Sequence, residues 1–312
     1  SGYAGPTLLL VADGMGGHAA GELASAIAVA TVADLDANPP ATSEVLTALG
    51  DSIADVGDAI AAVIQDEPDL TGMGTTVTGL YWAGPRLAVV HVGDSRAYLL
   101  RDGELAQITH DHTYVQTLVD AGRLTEEGAA HHPRRSLILR ALDGMNPVEA
   151  DLSLREAREG DRYLLCSDGL SGVVTNPEIA ALLGEGDPTG AVTRLVERAL
   201  ERGAPDNVTV IVADVVQVPD EAAVTEQGLP VVVGAAGEPR VRLRLPSVRF
   251  PDDAQPDPDR PDAPPPIDGG PPTAPQPRIY APLIARPTAA TRRAEEEKAE
   301  AKAAEKKKPA AK

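Results

Sequence analysis

Cysteine is almost absent from the 312 residues: a single Cys166 excludes a disulfide framework and any Cys-based zinc site. Chemistry must come from oxygen and nitrogen ligands or from non-thiol nucleophiles. Aromatic residues make up only 3% of the chain, and no run approaches the roughly 18 consecutive apolar residues of a membrane helix. The opening SGYAGPTLLLVADGMGG lacks the basic flank of a signal peptide. Lysine is missing from the first 215 residues, where 32 acidic groups face 13 Arg. A face for nucleic acid is excluded there, because phosphate backbones demand positive charge. A soluble, cytoplasmic catalytic part is expected.

The last 97 residues differ in kind, with 15 acidic and 15 basic groups, all six Lys, and 18 of the 28 prolines. Stretches such as PDDAQPDPDRPDAPPP cannot offset their ordering entropy by burial. Residues 1–215 therefore read as one domain and 216–312 as a Pro/Ala-rich disordered tail or linker. Its TRRAEEEKAEAKAAEKKK segment carries i,i+4 Glu/Lys pairs but no apolar face, so any helix there is solvated.

Within the domain, Thr7 to Val11 reads as a buried strand ending at Asp13 in a Gly-rich loop. Gly21 to Leu35 reads as helix, and Ser43 is placed to cap a second one whose apolar residues recur from Val45 to Ile64. After Thr75 the period changes. TTVTGLYW, RLAVVHV, RAYLLR and ELAQIT are strand-like runs separated by tight turns, one of them Asp102-Gly103. A helix over DHTYVQTLVDAG, strands at SLILRAL, DLSLRE and DRYLLCSDG, helices at PEIAALL and AVTRLVERALERG, and a closing strand NVTVIVADVV complete the pattern. The result is an α/β domain of mainly antiparallel pairs, with helices to cover the sheets.

Asp13, Asp94, Asp168 and Asp206 all sit at strand ends, where side chains can converge on a rigid frame. Turn duty explains any one of them, as it does Asp102 and Asp143. As a set they lack basic partners. Converging carboxylates with a carbonyl beside a glycine make a hard-oxygen site suited to Mg²⁺ or Mn²⁺ rather than zinc, and two such ions can clamp a phosphoryl group.

Five segments carry a family likeness: VADGMGGHAAGE at 11–22, GMGTT at 72–76, VGDSRAYLLRDGEL at 92–105, LLCSDGLSG at 164–172 and PDNVTVIV at 205–212. Together they resemble the metal-dependent protein serine/threonine phosphatases of the PP2C (PPM) class. TYVQTLVDAGRLT and HPRRSLILRAL resemble its bacterial, actinobacterial branch, whose members oppose Ser/Thr kinases. The resemblance implies a central antiparallel β-sandwich flanked by helices on both faces (αββα), with one N-terminal strand of that architecture missing. It implies a manganese or magnesium pair in which Asp13 bridges both ions, the Gly14 carbonyl ligates one, and Asp168 and Asp206 hold the other. Asp94 with Asp168 would serve a third, weaker site, and a metal-bridging hydroxide would hydrolyse phosphoserine or phosphothreonine directly. Residues from about His110 to Arg135 match the family's mobile flap. Phosphorylated proteins, Ser/Thr kinases and their substrates are the implied partners of a monomeric enzyme.

The chain departs from the family pattern in two places. Met15 stands where the eukaryotic branch has a histidine acid, and His18 reads as a loop histidine without catalytic duty. The family's phosphate-binding Arg and Asn-Glu-Asp loop would precede Tyr3, so an N-terminally truncated chain is expected. The tail resembles the juxtamembrane linker of membrane-tethered relatives, which would place any membrane contact beyond residue 312.

Other readings fit less well. GMGGHA matches a loose dinucleotide loop, but no parallel βαβ unit follows it. GDSRA resembles a hydrolase elbow around Ser95, yet strand rather than helix comes next, and Ser95 reads as a turn residue orienting Asp94. Cys166 lacks the Arg that a Cys-x5-Arg phosphatase loop requires, since Gly172 stands there, and it reads as core. His110, His112, His131 and His132 read as a solvated flap, and Arg96 as the structural partner of a carboxylate. A catalytically impaired regulatory or phosphoprotein-binding module on the same fold is the alternative from another class.

Overall fold

The structure is a computed structural model that describes residues 1–84, 86–216 and 230–242, together with the backbone of 276–279 and 283–285. Two sheets are stacked, and helices cover both outer faces.

In chain order the elements of the first layer pair are β1 (Gly2–Ala4), β2 (Leu8–Val11), the short β3 (Gly14–Met15), α1 (His18–Ala37), α2 (Val45–Asp66), β4 (Gly74–Thr75), β5 (Val77–Ala83) and β6 (Arg86–Val92). Next come β7 (Arg96–Arg101), β8 (Glu104–Gln107), α3 (Tyr114–Asp120), α4 (Glu126–Ala130), β9 (Asp151–Glu156) and β10 (Arg162–Cys166). Three helices, α5 (Asp168–Ser171), α6 (Asn176–Gly184) and α7 (Pro188–Glu201), lead to β11 (Val208–Val216), followed by β12 (Val231–Val233) and α8 (Pro239–Arg242).

One sheet has the order β12-β1-β2-β5-β6-β9, and the other contains β11-β10-β7-β8, every pair antiparallel. The backbone of β13 (Gln276–Ile279) and β14 (Leu283–Ala285) pairs with the outer edge of β11.

The period of two residues sorts the core into three layers. Along β2, Leu8 and Leu10 face α1 and α2, while Leu9 and Val11 face the other sheet. Along β10, Leu165 points into the sandwich beside Ile211, and Leu164 and Cys166 point out to α6 and α7. Cys166 is buried as expected, and burial pushes its thiol up to about 12, which makes it an inert core group. At the β7–β8 hairpin Asp102 and Gly103 both have positive φ, the geometry that an Asp-Gly turn supplies.

Three local expectations are corrected. Ser43 does not cap α2, whose first turn follows Glu44 without a side-chain cap. SLILRAL is not a strand: it makes only isolated bridges, Thr113 to Ile138 and Thr75 to Leu142, because its backbone bends at Leu139 and Arg140 between them. Residues 230–242, beyond the compositional break, are folded. Val231–Val233 adds to the edge of β1, the Ala236 amide donates to Ser1 Oγ at 3.3 Å, and Arg240 reaches Glu22 at 3.1 Å. The signal for this was the short apolar run VVVGAA inside a Pro-rich stretch. The TRRAEEEKAEAKAAEKKK segment lies outside the described residues. Among the described residues no helix is long and apolar enough to cross a membrane.

Leu165 lies between the two sheets with no exposed surface. Its replacement by alanine is expected to cost about 2–5 kcal/mol, read as a lower urea midpoint. An unchanged midpoint would remove it from the core.

Candidate metal centre

Strand register brings the four aspartates to one end of the sandwich. The β7–β10 pairing ends with Arg96 opposite Cys166, and just past that end the chain places Asp94 and Asp168 near enough that the Asp168 charge raises the Asp94 carboxyl. In the β2–β5 pair Val11 lies opposite Thr78, which sets Asp13 against Thr76. That junction is closed by the Thr76 amide donating to the Asp13 carbonyl at 2.9 Å and the Asp13 amide donating to Thr76 Oγ1 at 3.0 Å. Asp206 arrives with β11. Ser167 Oγ donates to the Asn207 carbonyl and accepts from the Thr209 amide, both at 3.0 Å, which fastens the ends of β10 and β11 together. Gly169 is required there, since a methyl group on it would strike the Asn207 carbonyl. On the other side, Gly14 and Gly21 approach so closely that a side chain on either would collide with the backbone of its partner, and this seats the Asp13 loop on the first turn of α1.

Hydroxyl groups link the two halves. Thr76 Oγ1 and Ser95 Oγ are 2.8 Å apart in the core, and Thr78 Oγ1 donates to the Ser95 carbonyl at 2.9 Å. The Asp13 loop and the Asp94 turn are thereby held in one frame. The amino-acid order points to Ser95 as a residue orienting Asp94, and Ser167 lies in the LLCSDGLSG motif, but it carries no comparable pointer to Thr78. For Thr76 the GMGTT motif is the available signal.

The electrostatics are those of carboxylates without enough positive charge. Burial, then Asp168 and Asp206, hold the Asp13 carboxyl well above the usual range, and it shares a hydrogen bond with Asp168. Asp168 is raised by burial and by Asp206. Asp94 is pushed up to about 7 by burial, by Asp168 and by Asp111. Arg96, the guanidinium closest along the chain, is committed elsewhere: it makes a forked pair with Asp111 at 2.6 to 3.0 Å, the structural role expected of it.

Among the described residues no three carboxylate, imidazole or thiolate groups form a ready-made cage for a metal ion. The donor set nevertheless fits one. Asp168 Oδ1 is buried with no hydrogen-bond partner, an orphan that costs free energy until a cation or donor meets it. Every converging side-chain donor is a carboxylate oxygen, which suits Mn²⁺ or Mg²⁺ rather than a soft metal.

The flap histidines need a correction. His110 and His131 are exposed, but His112 is buried. Its Nδ1 accepts from the Gly93 amide at 3.1 Å and its Nε2 lies 3.1 Å from Asp151, so it fastens the Asp94 turn to the base of the flap. Sequence periodicity cannot find a buried ring in an irregular segment. The side chain of His18 lies outside what the structure describes.

The family model for protein phosphatase 2C matches residues 2–209. The chain belongs to the protein phosphatase 2C family. It is 53% identical over 245 residues to the serine/threonine protein phosphatase PstP of Mycobacterium tuberculosis, covering 78% of this chain and 46% of that protein. It is 36% identical over 211 residues to the serine/threonine phosphatase stp of Listeria monocytogenes, covering 66% and 84% respectively. The chain thus spans about half the length of its mycobacterial relatives. Among solved structures, the M. tuberculosis phosphatase PstP/Ppp superposes with a TM-score of 0.67 at 55% identity, covering 70% of this chain and 92% of that one. The catalytic domain of PstP in complex with two manganese ions gives 0.65 at 55% identity, covering 70% and 91%. The PP2C-like architecture and the family resemblance are both borne out.

In chelator, the raised Asp94 carboxyl gives this PP2C domain a pH dependence of known sign. The folded state keeps a proton up to about 7 that the unfolded chain releases near 3.8. Stability from this group is therefore full below pH 3.8 and is lost as pH rises through 7. Between about pH 5 and 8 the metal-free domain is expected to lose on the order of 2–4 kcal/mol relative to Asp94→Asn. Chemical denaturation of both proteins checks this, and parallel pH profiles would contradict it.

Proposed function

We propose that this chain is a divalent-cation-dependent protein serine/threonine phosphatase that hydrolyses phosphoserine and phosphothreonine. The observation that carries this reading is the gathering of buried carboxylates at one end of the sandwich, Asp13 and Asp94 each raised by Asp168, with one Asp168 oxygen left without a partner. Asp13, the Gly14 carbonyl, Asp168 and Asp206 would hold a pair of Mn²⁺ or Mg²⁺ ions, and Asp94 with Asp168 a third. The two manganese ions in the PstP catalytic domain support this assignment. When bound, such ions supply Lewis-acid charge to the phosphoryl oxygens and lower the pKa of the attacking water.

The chain's own groups do the rest. Asp13, fixed through both its amide and its carbonyl, presents its carboxylate from a rigid loop. The Thr76–Ser95 contact holds the Asp94 turn at a constant distance from that loop, so the donors are preorganised rather than gathered at the moment of reaction. Met15 beside Gly14 has a thioether with no proton to donate, so the departing alkoxide would take its proton from a water at the site or from another group. We further propose that residues 1–215 form the phosphatase domain and 216–312 a tail, of which 230–242 folds back on β1 and α1. A monomeric, cytoplasmic enzyme opposing bacterial Ser/Thr kinases fits this reading.

The test is phosphate release from a phosphothreonine peptide by this chain in Mn²⁺ and in chelator. Turnover is expected only with Mn²⁺. Asp168→Asn is expected to lower it about 10²–10³-fold while raising the melting temperature of the metal-free protein, because it removes a buried unpaired charge. Turnover that survives chelator or the substitution would overturn the assignment. Phosphopeptide binding without turnover would point to a phosphoprotein-binding module instead.

A further inference from the structure

Residues 131–140, His-His-Pro-Arg-Arg-Ser-Leu-Ile-Leu-Arg, hold three Arg and no carboxylate in a domain where acidic groups outnumber Arg 32 to 13. Arg134, Arg135 and Arg140 are exposed, and so are Leu137 at 45% and Leu139 at 52%. Arg140 is neutralised by Asp151 at 3.0 Å, as Arg101 is by Asp161 and Arg162 by Asp214 at 2.6 Å, which leaves Arg134 and Arg135 as the strip's uncompensated charge. Among the described residues, no carboxylate forms an ion pair with Arg134 or Arg135. Arg134 lies instead over the Tyr114 ring, 5.6 Å from its centroid, which holds the guanidinium in place without neutralising it.

The segment is also firmly placed beside the metal centre. Leu142 and Thr75 exchange both backbone hydrogen bonds at 2.9 Å, and β4 pairs with β3 at Gly14 and Met15. Two strand spacings, about 10 Å, therefore separate the end of this strip from the loop that follows Asp13. Further out, the Leu139 amide donates to the His112 carbonyl at 2.7 Å and the Tyr114 amide to the Leu137 carbonyl at 2.9 Å. The strip is a ledge tied to the sheet through buried His112. The flanking carboxylates do not reach Arg134 or Arg135: Glu126 and Glu127 belong to the separate helix α4, Asp143 accepts from the Met145 amide, and Asp151 pairs with Arg140 at 3.0 Å.

We propose that Arg134, Arg135, Leu137 and Leu139 form a docking strip for the polypeptide that carries the phosphorylated side chain, selecting phosphosites flanked by acidic residues. This rests on the phosphatase reading and adds a substrate class to it. A domain so rich in carboxylates repels an acidic peptide everywhere except where the sign of the field reverses. Guanidinium groups offer forked contacts to carboxylates, and the two exposed leucines give the backbone of the peptide an apolar bed.

The experiment uses three phosphothreonine peptides of equal length with acidic, neutral or basic flanks, and p-nitrophenyl phosphate as a substrate with no flanks. Each is tested in Mn²⁺ on the wild type and on Arg134→Glu/Arg135→Glu. The acidic peptide is expected to have a KM about 5- to 10-fold below that of the basic one at low salt. That gap should close near about 0.5 M salt, where the screening length is only a few ångströms. The double variant should abolish or reverse the preference through KM, with kcat and p-nitrophenyl phosphate hydrolysis changed less than about twofold. Equal KM values for the three peptides, or a preference that survives in the variant, would overturn the strip. Fluorescence anisotropy of the labelled peptides reads the same ranking without turnover. Absent turnover with the ranking intact would therefore count against the phosphatase reading alone, and an absent ranking against the strip.

Discussion

Mutual repulsion among a few carboxylates at one end of the sandwich is the constraint around which this molecule is built. Asp13, Asp94 and Asp168 are all pushed toward their protonated forms, with burial the largest cause and neighbouring carboxylates the next. A sequence selected for stability alone would separate such groups or pair each with Arg. Here the rigid part of the fold forces them together: the β7–β10 pair ends just before Asp94 and Asp168, and the hydroxyls of Thr76, Ser95 and Ser167 fasten the strand ends that bear them. The hydrophobic layers supply the stability that makes the arrangement tolerable.

The acidity of the domain and the basic strip beside its site answer one another. A carboxylate-rich surface disfavours an anionic protein partner in general, and positive charge at the proposed cations and at Arg134 and Arg135 would limit productive approach to one direction. His112 joins the two. It binds the Gly93 amide next to the Asp94 turn, and its own carbonyl accepts from Leu139 in the strip. The proposed docking strip and the proposed cation site thus share a buried pivot.

Much of this was legible in the amino-acid order. The apolar runs LLLV, RLAVVHV and NVTVIV marked the strands, and the four strand-end aspartates stood out because no Lys accompanied them. Three kinds of feature were not legible. Register is a property of two strands, so one strand's residues could suggest that Asp94 and Asp168 converge without showing that β7 and β10 pair. Buried polar side chains in irregular backbone, His112 above all, carry no periodic signal. Short apolar runs inside a biased segment, such as Val231–Val233, are outvoted by the composition around them, although the open edge of β1 is enough to order them.

The most direct test of the central claim is thermal unfolding of this chain at about pH 8 with and without Mn²⁺, beside Asp168→Asn. If the converging carboxylates form a cation site, Mn²⁺ raises the melting temperature of the wild type by several degrees and leaves the variant nearly unmoved, while the variant starts from a higher value in chelator. Equal responses of the two proteins, or no response in either, would contradict the account.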